Sequence, residues 1–245
     1  GRPVGSFFKW SANLGAEYRR YDDAEDTAKG FRIPSDGVTT SLGLEGKYAR
    51  AGYVFSAAGA LNQRSEWEPW GFVGNPEYDA EAKDYATWQV GVGKTWHLAG
   101  FKKFGADVVY VSGSDLDRFS KYEFGFFGDT RVHGFQTDRV RAAEAIATHV
   151  RYGFEVGELF RLDGILDAAL ATDERAGLDN ELLAGVGIQG TFLGPWQTIV
   201  NVDVGVPIAG PDDGFLIENR SRGGRPPADH RRVLYAVFST ATAVA

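Results

Sequence analysis

The sequence contains no cysteine and no long apolar run. The absence of cysteine from its 245 residues excludes disulfide bonds, thiolate metal sites and a cysteine nucleophile. No stretch approaches the roughly 18 consecutive apolar residues that a membrane-spanning helix needs, so the chain is not a helical membrane protein. The four histidines, His97, His133, His149 and His230, are scattered without the spacing of a metal site.

The signals for catalysis and for nucleic-acid binding are equally weak. The formal net charge of −7 argues against nucleic acid as a partner, because that binding depends on clustered cations. Serine, histidine and aspartate are all present, but no Gly-x-Ser-x-Gly sequence frames a nucleophilic serine. We therefore expect a protein that is not an enzyme and that has no cofactor and no metal site.

Period-two alternation is the strongest pattern in the sequence. Along residues 196–208 one face is apolar and the other is mostly polar, which predicts a β-strand. The apolar face carries Trp196, Thr198, Val200, Val202, Val204, Val206 and Ile208, and Asp203 lies on the opposite face. In a soluble sandwich the valines would face a core. In a membrane barrel they would face lipid, and Asp203 would face a wet lumen.

The same alternation recurs along the whole chain. It is clear over residues 7–19, 41–48, 86–98, 148–156, 184–192 and 196–208, and weaker over 53–66, 104–114, 161–172 and 233–243, which gives about ten strands. No segment has a helical period of useful length. Short connections near 50–52, 100–102, 157–159 and 194–195 alternate with long ones at 22–37, 67–83, 115–144, 173–181 and 209–232. Residues 1–245 are therefore predicted to form one all-β, up-and-down domain.

Two features favour a transmembrane barrel over a soluble sandwich. The polar faces interleave charged residues with many glycines, which suits a curved wall around a crowded lumen. Trp88 and Trp96 share one apolar face, and a tilted strand would separate them by roughly 20 Å along the membrane normal. That distance is close to the height of a lipid-facing band between two aromatic girdles. The predicted fold is an antiparallel up-and-down transmembrane β-barrel.

Residues 119–145 resemble part of a known family. They read FSKYEFGFFGDTRVHGFQTDRVRAAEA and lead into the strand IATHVRYGFEV. Val132-His133-Gly134-Phe135 resembles the Val-Arg-Gly-Phe/Tyr tip of the sixth extracellular loop in the bacterial surface-antigen superfamily, the BamA- and TamA-type outer-membrane assembly barrels. An inward acid at Asp167, a GVGIQG strand, a Gly194-Pro195 turn and the strand at 196–208 then follow in the family's order. By this resemblance the chain matches the last ten of the family's sixteen strands without its POTRA domains, as either a fragment or a reduced relative.

The resemblance implies that the loop docks inside the barrel. In the family the loop folds into the lumen and its arginine pairs with the inward acid of a following strand, which fixes a long loop at one place. Here His133 stands at the arginine position. Either Arg131 substitutes for that arginine, or His133 makes a weaker, pH-dependent contact with Asp167. The simpler alternative is that Arg131 and His133 are solvated loop residues.

The resemblance also implies a function in protein insertion or translocation at the outer membrane of Gram-negative bacteria. In the family the first and last strands meet at a weak seam, which opens and offers unpaired backbone to a nascent strand. Here the seam strand would comprise Val233, Leu234, Tyr235, Ala236, Val237 and Phe238. The expected partners are outer-membrane lipid and nascent outer-membrane or secreted proteins. Five arginines are candidates for contacts with lipopolysaccharide phosphates, namely Arg220, Arg222, Arg225, Arg231 and Arg232.

Two other interpretations of the sequence stay open. One is a small passive pore or structural barrel of about ten strands, whose lumen would be nearly filled by side chains. The other is a soluble all-β binding protein.

Overall fold

The chain folds almost entirely into β-strands, as the alternation predicts. The structure is a computed structural model and describes residues 2–4, 7–22, 27–125, 130–135, 140–156, 160–193, 198–210 and 235–242. The strands are β1 (Arg2–Val4), β2 (Phe8–Arg19), β3 (Gly37–Arg50), β4 (Tyr53–Arg64), β5 (Asp84–Leu98), β6 (Lys102–Ser114), β7 (Tyr122–Phe124), β8 (Val140–Ala142), β9 (Glu144–Val156), β10 (Phe160–Asp173), β11 (Leu178–Leu193), β12 (Thr198–Ala209) and β13 (Tyr235–Thr242). Within the described residues the only helix is a 3-10 turn at Glu81–Lys83.

Eleven of these strands form one antiparallel sheet. The strand order is β1-β2-β3-β4-β5-β6-β9-β10-β11-β12-β13, so the sheet follows the chain except where β7 and β8 leave it as a separate two-stranded pair. Among the described residues the two end strands, β1 and β13, do not pair with each other. The all-β, up-and-down prediction is therefore confirmed at the level of the sheet.

The apolar face of this sheet points away from the rest of the molecule. We call it the outer face, and we call the face that carries Asp163, Asp167 and Asp203 the inner face. Leu14, Val90 and Ile188 lie on the outer face and are 83%, 49% and 57% exposed. No second large sheet covers the outer face within the described part of the chain, so the packing is not that of a two-layer sandwich.

The core lies against the inner face instead. It forms between the inner face of β6, β9, β10 and β11 and the long β6–β9 connection at residues 115–143, which we call the β6–β9 loop. Small side chains on β9 and β10, including Ala145, Ala147 and Ala169, leave room for the larger loop side chains Phe124, Val132 and Phe135. Burial of these apolar groups favours the docked loop.

Several predicted boundaries are wrong. The connection expected at 173–181 is not long, because β10 continues to Asp173 and β11 begins at Leu178. The short strands β1, β7 and β8 were not predicted. Residues 235–238 of the predicted seam strand lie in β13, and Val233 and Leu234 lie outside the described residues.

The loops at the two ends of the sheet differ in length, as expected for an up-and-down arrangement. A tight turn at Ala51 and Gly52, both with positive φ, joins β3 to β4, and a three-residue connection joins β5 to β6. At the opposite end, 19 residues (65–83) separate β4 from β5. In the described residues, no helix has the length and apolar character needed to cross a membrane.

Candidate functional site

The β6–β9 loop inserts its tip into the inner face of the sheet. The pairing of β7 with β8 closes the base of the loop and buries Tyr122, Phe124 and Val140. The Tyr122 hydroxyl lies 2.8 Å from the Trp88 carbonyl and 2.9 Å from the Ser112 carbonyl, both within hydrogen-bond distance, which ties this base to β5 and β6. The tip that follows, residues 130–135, is therefore held close to the wall.

His133 forms the centre of the docked tip. Its side chain is 1% exposed. Its Nδ1 contacts Asp167 on β10, its backbone N–H donates to the same carboxylate at 3.2 Å, and its Nε2 lies 3.0 Å from Asp203 Oδ1 on β12. One imidazole thus bridges two carboxylates from two strands.

Two further pairs surround this bridge. Arg131 contacts the second oxygen of Asp203, and that oxygen also accepts a hydrogen bond from Gln189 Nε2 at 2.9 Å. His149 on β9 lies with Nδ1 2.6 Å from Asp107 and with Nε2 2.9 Å from the carbonyl of Arg131. We call these seven residues (Asp107, Arg131, His133, His149, Asp167, Gln189 and Asp203) the docking cluster.

Glycines on the wall make room for the tip. A Cβ at Gly205 would lie 2.8 Å from His133 Cβ, and a Cβ at Gly187 would lie 2.7 Å from His133 Cγ. Gly185 faces the carbonyl of His133 at similarly close range. On the loop side, Gly134 has φ +88°, a conformation that suits glycine, and it lies against the Val206–Pro207 backbone. A larger residue at Gly187 or Gly205 would displace the His133 side chain, and one at Gly185 or Gly134 would push the backbone of the tip away from the wall.

The charges of the docking cluster favour protonation of His133. Asp107, Asp167 and Asp203 carry three negative charges, and Arg131 supplies one positive charge. Burial alone would lower the pKa of His133, but its hydrogen bonds with Asp167 and Asp203 and the charge of Asp167 outweigh burial and raise that pKa above its ordinary value of 6.5. An imidazolium at position 133 offsets the negative charge that the wall presents.

A second set of buried ion pairs lies at the end of the sheet that carries the long connections. Arg64 donates to Asp117 at 2.8 Å and to the Ala82 carbonyl at 2.6 Å, and its guanidinium lies between the rings of Trp67 and Tyr85. Lys121 Nζ lies 2.7 Å from Asp173 and 2.8 Å from Glu77. Because the four charged groups Arg64, Asp117, Lys121 and Asp173 are nearly fully buried and paired, these contacts fix the base of the β6–β9 loop.

The structure brings together the predicted loop motif and its predicted acid. Arg131, Val132, His133, Gly134 and Phe135 all lie in the docked tip, and Asp167 accepts from His133. Of the two alternatives from the sequence, the contact of His133 with Asp167 is present. Arg131 contacts a different acid from the predicted one, Asp203. The interpretation of Arg131 and His133 as solvated loop residues is wrong, because both contact acids of the wall and His133 is almost fully buried.

Other members of the cluster were missed by the sequence analysis. Asp203, Gln189, His149 and Asp107 were not predicted to join the loop. The period-two alternation does place them on the inner face, and the register aligns Asp107 with His149, His149 with Asp167, and Gln189 with Asp203. The shared inward face is the signal that the sequence offers, and the cross-strand alignment comes from the structure.

The predicted seam strand lies elsewhere in the sheet. Residues 235–238 belong to β13, which pairs with β12 and ends the strand order, so they do not join the docking cluster. The arginines proposed to contact lipopolysaccharide, at positions 220–232, lie outside the described residues.

Comparison with known proteins does not assign the chain to a family. No protein-family model and no curated protein matches it. Among the described residues, no cluster of three or more histidine, aspartate or glutamate side chains has the arrangement of a metal site.

Proposed function

We propose that this chain forms the wall and the lumenal loop of a bacterial outer-membrane β-barrel that assists the insertion or translocation of other proteins. The observation that carries the proposal is the division of the sheet into two faces. The outer face is apolar and exposed, and the inner face is polar and holds a docked loop.

The outer face supports a membrane location. Exposed large apolar side chains recur on strand after strand, among them Leu42, Val92, Ile146, Leu166 and Val186. Soluble monomers rarely expose a contiguous apolar patch larger than a few hundred Å². A lipid-facing barrel wall has this composition by necessity, because its strands alternate apolar-out and polar-in. This observation favours the membrane barrel over the soluble binding protein.

The docked loop argues against a passive pore. An open channel needs an unobstructed polar lumen. Here Val132, Phe135 and Phe124 pack on the inner face, and the docking cluster holds the tip there through buried charge-assisted contacts. A loop built this firmly into the inner face is suited to organising the barrel rather than to passing solutes.

The edge of the sheet supports a role in strand insertion. β13 ends the strand order within the described residues, and its backbone pairs with β12 only. An edge strand presents free N–H and C=O groups that can pair with an incoming strand. In the proposed function a nascent strand would pair with β13.

Photo-crosslinking in cells tests this function. A photoreactive amino acid at position 238 on β13 should crosslink to nascent outer-membrane proteins, whereas the same amino acid at Val90, on the outer face of the central strand β5, should not. Equal crosslinking from both positions, or none from position 238 in a protein that fractionates with the outer membrane, would contradict strand insertion. Fractionation away from the membrane would contradict the barrel itself.

A further inference from the structure

A cavity of about 510 Å³ lies on the inner face at the end of the short turns. Residues of β4, β5, β6, β9 and β10 line it, and the turn at Gly52 borders it. Its volume falls within the range of small-molecule sites. Gly91, Gly93 and Gly105 contribute backbone without side chains, which keeps the floor of the cavity open.

Cationic side chains predominate among the charged groups that line this cavity. Lys103 on β6 and Arg151 on β9 both line it. Among the described lining residues the only carboxylate is Asp107, which already pairs with His149. Arg161 also lines the cavity, but its guanidinium is held by Asp163 at 2.7–2.8 Å.

The strand register places the unpaired cations side by side. The partner of Lys103 on β9 is Gly153, two residues from Arg151. Diagonal neighbours of this kind lie about 7–8 Å apart. No ion pair joins Lys103 or Arg151 to an acid in the described part of the chain. Like charges this close repel each other, and an anion between them would remove the repulsion.

We infer that this cavity binds a small ligand that carries a phosphate group, held between Lys103 and Arg151. Arginine presents a planar fork that matches two phosphate oxygens, and lysine supplies a mobile point charge beside it. The cavity exceeds the size of inorganic phosphate, so the rest of the ligand would extend over the glycine floor. The site depends on the inner face alone and not on the proposed role in protein insertion.

Isothermal titration of the purified protein with pyrophosphate, at physiological ionic strength, tests the site. Lys103→Gln and Arg151→Gln should each weaken binding by about tenfold, and the double variant should abolish it. Lys102→Gln is the matched control, because Lys102 is the neighbouring lysine on the outer face. It should leave binding unchanged. Malonate, a dianion without phosphate, should bind more weakly than pyrophosphate.

Three results would overturn the inference. These are no pyrophosphate binding by the folded protein, an equal loss in Lys102→Gln and Lys103→Gln, or equal affinity for pyrophosphate and malonate. Thermal unfolding of each variant checks that the sheet is intact. Because no substitution touches the docking cluster or β13, these results are independent of the crosslinking at position 238.

Discussion

His133 determines how the loop and the wall interact. A neutral imidazole could donate one hydrogen bond and accept another, but it faces carboxylates on both sides, which only accept. Protonation turns both ring nitrogens into donors and matches both acids. An arginine at this position would be charged at every pH, whereas histidine makes the contact depend on pH.

Loop docking should therefore weaken as the pH rises. The pKa of His133 is raised in the folded protein above the ordinary 6.5, so its stabilising contribution is complete below pH 6.5 and is lost as the pH passes through the folded-state pKa. Protease protection of residues 115–143, followed from about pH 5.5 to about pH 9, should decrease over that window.

Substitution of His133 separates this effect from a general pH response. His133→Asn should reduce loop protection at low pH and flatten its pH dependence, because the imidazolium is gone. His97→Asn is the control, since His97 is exposed at the opposite end of the inner face. An unchanged pH profile in His133→Asn would show that another group controls docking.

At the scale of elements, the strands were predictable and the loop architecture was not. Each of the ten predicted strands is present. Period-two alternation is a direct consequence of strand geometry, because successive side chains point to opposite faces. The three-residue strands β7 and β8 are too short to show any period. They form because Tyr122 and Phe124 pack on the wall, which is a tertiary effect that local sequence does not encode.

The docking cluster was predictable only in part for a similar reason. The family resemblance pointed to Asp167. The contact of Arg131 with Asp203 could not be predicted, because it depends on the register between β11 and β12. A shift of one residue would move Asp203 to the outer face. Alternation identified Asp203 as inward-facing but could not tell which loop residue would meet it.

The glycines of β11 give a prediction at this scale. Gly187→Ala would place a methyl group 2.7 Å from His133 Cγ, so the ring must move away from both carboxylates. Overpacking of this kind costs about 1–3 kcal/mol. We expect a lower thermal unfolding midpoint and a loop open to protease.

Gly164→Ala on β10 is the matched control. A Cβ at Gly164 meets nothing closer than the Tyr152 carbonyl, at 3.9 Å, and the residue is exposed. This substitution should be neutral or slightly stabilising. If both variants lose the same stability, the tight fit of His133 against β11 does not hold the loop.

At the scale of the whole molecule, the alternation of residues 196–208 alone does not decide which side of the sheet is the inside. The valine-bearing face and the aspartate-bearing face of residues 196–208 were equally compatible with two architectures. The structure places the core on the aspartate side, where Asp203 is buried and Ile208 on the other side is 59% exposed. The reason is the β6–β9 loop, which covers the polar face and leaves the apolar face to the surroundings.

The proposed function requires that the outer face of this sheet contacts lipid. Because the chain has no cysteine, single cysteines at positions 88–93 of β5 can be spin-labelled without background. In phospholipid vesicles, oxygen, which dissolves in the acyl chains, should relax labels at 88, 90 and 92. A water-soluble nickel complex should instead relax labels at 89, 91 and 93. Strong relaxation of the even positions by the nickel complex would contradict the account.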